Sequence, residues 1–179
     1  MSRVRVYLPA TLPDLSARLA LDPVTGDVVD TRVDVADAGA IGFAVTPGLR
    51  EWYREGDLEE LEYVALTHAA RASLRLLAHA GAGRGEARRV VLAVDVPDAA
   101  VRPAAEVDVA AVRLSAPASF ADLAAIHVDD LIAADDVAAA AAVLDAAESG
   151  DEDARFAVEG LDDHELQWYA VQEIEFLLG

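Results

Sequence analysis

The chain contains no cysteine and no lysine, and it has few aromatic residues and no long apolar run. Without cysteine, disulfide bonds, thiolate catalysis and cysteine-ligated metals are excluded. The longest apolar stretch, residues 137–144, is far shorter than the ~20 residues that cross a bilayer. The first residues lack the apolar core of a signal peptide, so we expect a cytoplasmic protein that does not enter membranes.

The charge of the chain is strongly one-sided. Arginine supplies every basic side chain, and 33 aspartates and glutamates against 14 arginines give a net charge of −19 at pH 7. Such a surface repels phosphate groups, so general nucleic-acid binding and binding to anionic membranes are not expected. Two interpretations stay open: the charge serves solubility alone, or it attracts a basic protein partner.

The pattern of apolar residues indicates a mixed α and β protein. With 54% apolar residues in a chain of 179, one globular domain over residues 1–179 is expected. Predicted strands lie at residues 3–8 (ended by Pro9), 41–45, 89–96, 110–114 and 124–128. Thr11 and Asp57 are predicted to cap helices, the second of which covers Leu58 to Ala80. Other predicted helices start at Pro47, cover 137–147 and start at Asp162. We expect an α/β or α+β fold, a two-layer sandwich with a mixed sheet of about five strands and helices packed on it.

Motifs for metals, phosphate groups and catalysis are incomplete. His127, Asp129 and Asp130 provide too few ligands for a metal site, and an aspartate at a strand end more often caps a helix. The glycine-rich residues 81–85 follow a helix and precede a strand, which is the reverse of the order in a phosphate-binding loop. They are predicted to be a connector. The sequence therefore predicts no catalytic residue, no metal site and no cofactor.

Three stretches resemble an uncharacterised family of small proteins from high-GC bacteria, over nearly the whole chain. They are Arg5-Val6-Tyr7-Leu8-Pro9-Ala10-Thr11, Phe43-Ala44-Val45-Thr46-Pro47 with Leu49-Arg50-Glu51, and Asp163-His164-Glu165-Leu166 with Trp168-Tyr169-Ala170. That family has no assigned activity. The resemblance implies a bacterial cytosolic protein and adds no chemistry.

A second resemblance covers roughly residues 3–128 and concerns small domains with an ADP-ribosyltransferase-like fold. The matching segments are Tyr7 to Thr11, Gly42-Phe43, Leu92 to Asp95 and Pro117 to Ile126. The histidine with which that family contacts the NAD ribose would fall at or next to Leu8, where this chain has none, and the catalytic glutamate has no counterpart. The resemblance implies a member that has lost the transferase site.

Two hypotheses for function follow. The first is a non-enzymatic cytosolic protein that acts through a macromolecular partner, and the acidic surface favours a basic protein in that role. The alternative is a small-molecule or nucleotide-binding domain with a degenerate ADP-ribosyltransferase-like site between the first strand and the Phe43 strand. The candidate ligand-binding residues of that site are Tyr7, Thr11, Phe43, Arg50 and Trp52.

Overall fold

A computed structural model describes residues 1–82 and 87–179. Part of the predicted connector at 81–85 lies outside the described residues. The described strands, in chain order, are β1 (Arg3–Ala10), β2 (Asp34–Ala36), β3 (Ile41–Phe43), β4 (Val90–Pro97), β5 (Val101–Pro103), β6 (Ala111–Leu114), β7 (Ala118–Ser119), β8 (Leu123–Asp129) and β9 (Leu166–Tyr169). The helices are α1 (Leu12–Arg18), α2 (Pro47–Trp52), α3 (Leu58–Ala80), α4 (Ala134–Ala142), α5 (Leu144–Glu148), α6 (Glu152–Glu159) and α7 (Ile174–Leu178).

Seven strands form one sheet in the order β5-β6-β3-β1-β4-β8-β9, and each neighbouring pair is antiparallel. The expectation of a mixed sheet of about five strands is wrong in both respects. The missed strands are β5 and β9, which lie at the two edges and have three and four residues. β5 contains an arginine and a proline, and β9 lies in a segment whose apolar spacing also fits a helix. The prediction of helices packed on a sheet is confirmed.

Side chains of the central strands alternate between two apolar layers, as strand geometry requires. On one face, Tyr7 of β1 and Val91 of β4 pack with residues of α2 and α3. On the other face, Val6 and Leu92 pack with α1, α7 and the small β2–β7 sheet. The long helix and the large sheet are thus the two main layers, and smaller elements cover part of the second face.

The carboxyl-terminal half of α3 leaves the sheet and packs against other helices. Leu74 and Leu77 of α3 form a third apolar cluster with residues of α4, α5 and α6. Buried Ser73 lies at the point where the two environments meet. Its hydroxyl donates to the Ala10 carbonyl at 2.7 Å and accepts the Val90 N–H at 2.9 Å. One side chain therefore ties α3 to the end of β1 and to the start of β4.

Helix boundaries follow the predicted capping residues. Thr11, Thr46 and Asp57 each accept a backbone N–H of the first turn, and Asp57 forms a reciprocal capping box with Glu60. Gly81 ends α3 with a φ of 65°, a left-handed conformation that glycine adopts without strain. The starts of these three helices and the end of α3 were therefore predictable from local sequence.

Two local predictions are wrong. The segment from Asp162 does not form a helix through Trp168, because Leu166–Tyr169 pair with β8 as β9, and the last helix begins at Ile174. The spacing of its apolar residues fits either structure, and the available edge of β8 decides. Pro9 does not end β1, because it lies beyond the last residue of β1 that pairs with β3. There the missing N–H costs no ladder hydrogen bond.

Close packing at the sheet centre explains Gly42 of β3. A Cβ atom at this position would lie 2.5 Å from Val6 Cγ1 and 2.9 Å from Leu8 Cδ2. Any larger residue would push β3 away from β1. Within the described residues, no helix combines the length and apolar character that a membrane span requires.

Candidate functional site

An open groove of about 970 Å³ lies at the junction of α2 and α3, and we call it the corner groove. Its walls include Trp52 and Tyr53 at the end of α2 and Tyr63 on α3. Trp52 is 75% exposed and Tyr63 is 55% exposed. Buried Leu49 anchors α2 to the sheet layer, so the aromatic residues that follow it lie where the core ends. Large exposed aromatic side chains around one groove are typical of protein interaction sites.

The rim of the corner groove is acidic. Residues 47–64 contain six carboxylates and two arginines, and Glu55, Glu59 and Glu60 line the groove itself. Arg54 also lines it. An apolar floor with an acidic rim fits a ligand that combines an apolar group with positive charge.

Tyr63 also borders a second cavity of about 320 Å³, between α3 and the segment that leads into β9. Leu66 and Ala70 form its wall on α3, and Leu161 and Leu166 face them. The exposed tyrosine therefore separates two depressions on the same side of the molecule.

The five predicted ligand-binding residues lie in different surroundings. Tyr7 and Phe43 are directly opposite each other on β1 and β3, and both are buried under α3. Thr11 caps α1, Arg50 is exposed on α2, and Trp52 lines the corner groove. Trp52 lines the corner groove without the other four, and Phe43 lines a separate cavity beside α3 without the other four. The ligand site that they were predicted to form stays a prediction.

Tyr7 belongs to a polar cluster on the helix-covered face of the sheet. The Arg5 guanidinium donates to both carboxylate oxygens of Asp95, at 2.6 and 3.0 Å, and this lowers the pKa of Asp95. The His127 ring lies edge-on to Tyr7, with 6.3 Å between ring centroids. Burial lowers the pKa of His127, with Arg5 adding to the effect, and burial raises the pKa of Tyr7. At neutral pH the cluster therefore holds a neutral imidazole and a neutral phenol.

This cluster offers little for catalysis. Arg5 and Asp95 neutralise each other, and the interior contact between Tyr7 and His127 is a packing contact of two rings. Across residues 1–82 and 87–179, no group of three or more histidine, aspartate or glutamate side chains is arranged to hold a metal ion.

The most buried charges of the described chain are those of Arg89 and Asp129. Arg89 Nε and Nη2 donate to the two carboxylate oxygens at 2.8 Å, and Asp129 is fully buried. Arg89 Nη2 also donates to the backbone carbonyls of Leu161 and His164. The pair fixes the segment before β9 against the sheet. Asp129 thus has a structural role, and the capping role expected at this strand end belongs to Asp130.

Some of these features could not be predicted from the sequence. Arg89 and Asp129 are 40 residues apart, so their pairing needed the register of β4 and β8. Tyr63 offered a signal that sequence reasoning missed, because it follows Glu59, Glu60 and Glu62 on the polar side of a helix. An aromatic residue there is not needed for the core.

Comparison with known proteins gives one match. A family model described as a family of unknown function (DUF6912) matches residues 4–178, which is almost the whole chain. No curated protein and no solved structure matches the chain.

Proposed function

The chain belongs to DUF6912, a family of unknown function, and we propose that it is a non-enzymatic cytoplasmic protein that binds a basic protein partner through the corner groove. The observation that carries the proposal is the exposure of Trp52, Tyr53 and Tyr63 around an open groove with an acidic rim. Exposed aromatic residues cost solubility, and a partner that covers them gains the free energy of removing them from water.

The charge of the protein defines the partner. With a net charge of −19, the protein attracts cationic surfaces over about one Debye length and repels anionic ones. We expect the recognised segment to carry an aromatic or aliphatic anchor for the space between Trp52 and Tyr63. Arginine or lysine residues beside this anchor would face Glu55, Glu59 and Glu60.

Selection from a randomised peptide library tests the proposal. The purified protein is expected to enrich peptides with one large apolar residue flanked by basic residues. The double variant Trp52→Ala with Tyr63→Ala is expected to bind the selected peptides about tenfold more weakly or worse, since aromatic anchors dominate such interfaces. The matched control changes Phe156→Ala and Phe176→Ala, two exposed aromatic residues on α6 and α7, and should alter affinity less than twofold.

Two outcomes would contradict this function. Enriched peptides without basic residues would remove the argument from charge. Equal affinity for the wild-type protein and the corner-groove variant would show that binding occurs elsewhere. Affinity should also fall steeply between 50 and 300 mM salt, because the Debye length shortens from roughly 14 to 6 Å over this range.

The second candidate is a small-molecule or nucleotide site with a degenerate ADP-ribosyltransferase-like arrangement. Its support is the position of Trp52 on the corner groove and the pairing of Tyr7 with Phe43. Thermal unfolding with NAD, ATP and Mg²⁺ separates the candidates. A ligand at a hundred times its dissociation constant adds about 2.7 kcal/mol to the free energy of unfolding. For a chain of this size, that raises the melting temperature by about 5 to 10 °C. The partner-binding proposal expects no shift with any of the three.

A further inference from the structure

The two edges of the large sheet differ in how well they are protected against pairing with a further strand. At one edge, β5 ends in Pro103, and Arg102 Nη1 donates to the carbonyls of Val101 and Ala99 at 2.9 Å. Proline and charged residues on an edge strand are common means of preventing further strand pairing. At the other edge, β9 contains no proline and no charged residue (Leu166-Gln167-Trp168-Tyr169). The β9 edge is therefore the unprotected one.

The register of the sheet shows which backbone groups of β9 point outward. Asp129 donates its N–H to the Arg89 carbonyl on the β4 side, so Asp129 does not bond to its β9 partner Leu166. Because hydrogen-bonded and non-hydrogen-bonded pairs alternate in antiparallel ladders, Gln167 and Tyr169 bond to β8. The N–H and C=O groups of Leu166 and Trp168 point away from the sheet. No described residue outside β8 bonds to them.

The side chains beside this edge provide an apolar contact. Trp168 lies opposite His127 on the helix-covered face of the sheet and is 62% exposed. A side chain on an added strand, directly opposite Trp168, would lie about 4.5 to 5.5 Å away at the Cβ atoms. The indole therefore offers an incoming strand a large surface, most of which the described chain leaves uncovered.

The acidic residues near the β9 edge favour one kind of added strand. A cavity of about 530 Å³ adjoins the start of β9 and includes Gln167, the exposed Ile132 and four carboxylates, those of Asp130, Asp162, Asp163 and Glu165. Among the described residues no arginine lines it, and His164, which also lines it, is bonded to the Asp136 carboxylate. A second copy of this chain would bring another charge of −19 to an acidic edge and is disfavoured by repulsion. A basic segment is favoured for the same reason.

We propose that the outer edge of β9 accepts an extended, basic peptide segment as an eighth strand of the sheet. Main-chain hydrogen bonds to Leu166 and Trp168 give the affinity, and the indole of Trp168 and the neighbouring carboxylates give the preference for alternating apolar and basic side chains. This surface is separate from the corner groove. A negative binding result at one surface therefore leaves the proposal for the other surface unaffected.

The test uses a fluorescently labelled peptide of alternating arginine and valine, followed by anisotropy at low salt. Saturable binding is expected, whereas a peptide of alternating glutamate and valine should not bind. N-methylation of every second residue, in both possible phases, removes the donors on one side of the peptide at a time. One phase is expected to weaken binding at least tenfold, and the other should have little effect. Equal effects of both phases, or no binding of the arginine peptide, would overturn the proposal.

A pair of variants tests the same contact from the protein side. Trp168→Ala removes the indole and keeps the outward N–H, whereas Trp168→Pro removes both. Since one hydrogen bond contributes about 1 kcal/mol, the proline variant should bind about fivefold more weakly than the alanine variant. Equal affinities would show that the backbone of β9 takes no part. Trp52→Ala, which alters only the corner groove, should bind as the wild type does.

Amide hydrogen exchange measured by NMR needs no variant. In the free protein, the amides of Leu166 and Trp168 should exchange faster than those of Gln167 and Tyr169. Saturating arginine–valine peptide should slow the two fast amides. If the peptide binds but leaves both amides fast, it adsorbs by charge alone and strand addition is refuted.

Discussion

The buried ion pair of Arg89 and Asp129 provides the sharpest test of how this fold is held together. We consider Arg89→Met, which keeps much of the apolar stem and removes the guanidinium. Asp129 would then stay fully buried, and only the backbone N–H of residue 89 would still donate to its carboxylate. The carbonyls of Leu161 and His164 would lose a donor as well.

The expected loss is large. Removing one partner of a buried pair typically costs about 3 to 5 kcal/mol, because the remaining charge is uncompensated. This is a sizeable fraction of the roughly 5 to 15 kcal/mol that stabilises a typical domain. With an m-value of about 2 kcal/mol/M in urea, the midpoint of unfolding should fall by about 1.5 to 2.5 M. Tryptophan fluorescence follows the transition through Trp52 and Trp168.

Two further variants separate the pair from general effects of losing an arginine. Arg113→Met removes a half-exposed pair with Glu106 and should cost less than about 1 kcal/mol. Arg89→Met combined with Asp129→Leu removes both buried charges and should recover part of the lost stability. The reasoning is refuted if Arg89→Met costs no more than Arg113→Met, or if the double variant is less stable than the single one.

The structure makes three more predictions about stability. Ser73→Ala leaves a buried carbonyl and a buried N–H without their side-chain partner and should cost about 1 to 3 kcal/mol in urea unfolding, whereas exposed Ser149→Ala should cost almost nothing. Gly42→Ala should cost about 1 to 3 kcal/mol through overpacking, whereas Gly160→Ala, with φ below zero and open space around its Cβ position, should be neutral or stabilising by up to about 1 kcal/mol. Folding lowers the pKa of His127 below its ordinary value of 6.5, so the unfolded chain binds more protons at acidic pH, and stability should fall as the pH drops below 6.5. Melting curves from pH 7.5 to 5 should show a smaller fall in His127→Gln than in the wild type.

Each of these predictions has its own contrary result. Equal midpoints for the two serine variants would mean that Ser73 does not bridge α3 to the sheet. A tolerated alanine at residue 42 would place β3 farther from β1 than the structure does. Parallel pH profiles of the wild type and His127→Gln would show that the pKa of His127 is the same in the folded and unfolded chain.

Local features were the ones that the sequence could reveal. The capping residues Thr46 and Asp57 and the left-handed Gly81 act within one helical turn, so their roles could be predicted from neighbouring residues alone. The long helix α3 was predicted with its observed limits for the same reason, because its apolar spacing extends over many turns.

Features that depend on distant segments could not be predicted in this way. The apolar spacing of residues 166–177 fits a helix, and only the free edge of β8 makes Leu166–Tyr169 a strand. The exposure of Trp52 follows from where α2 meets α3, which no local pattern encodes. For the same reason, local sequence could not show that Trp52 lines a groove apart from Tyr7 and Phe43, which face each other under α3.

The position of β1 in the sheet has a consequence for protein synthesis. Of the strands in this sheet, β1 is made first. It lies between β3 and β4, and its full-length partner β4 ends at Pro97. At about 5 to 20 residues per second, β1 remains without that partner for about 4 to 17 s after it is made. During that time the β4-facing edge of β1 is open to chaperones and to other nascent chains. Arg3 and Arg5 lie within this strand, where like charges keep copies of it apart.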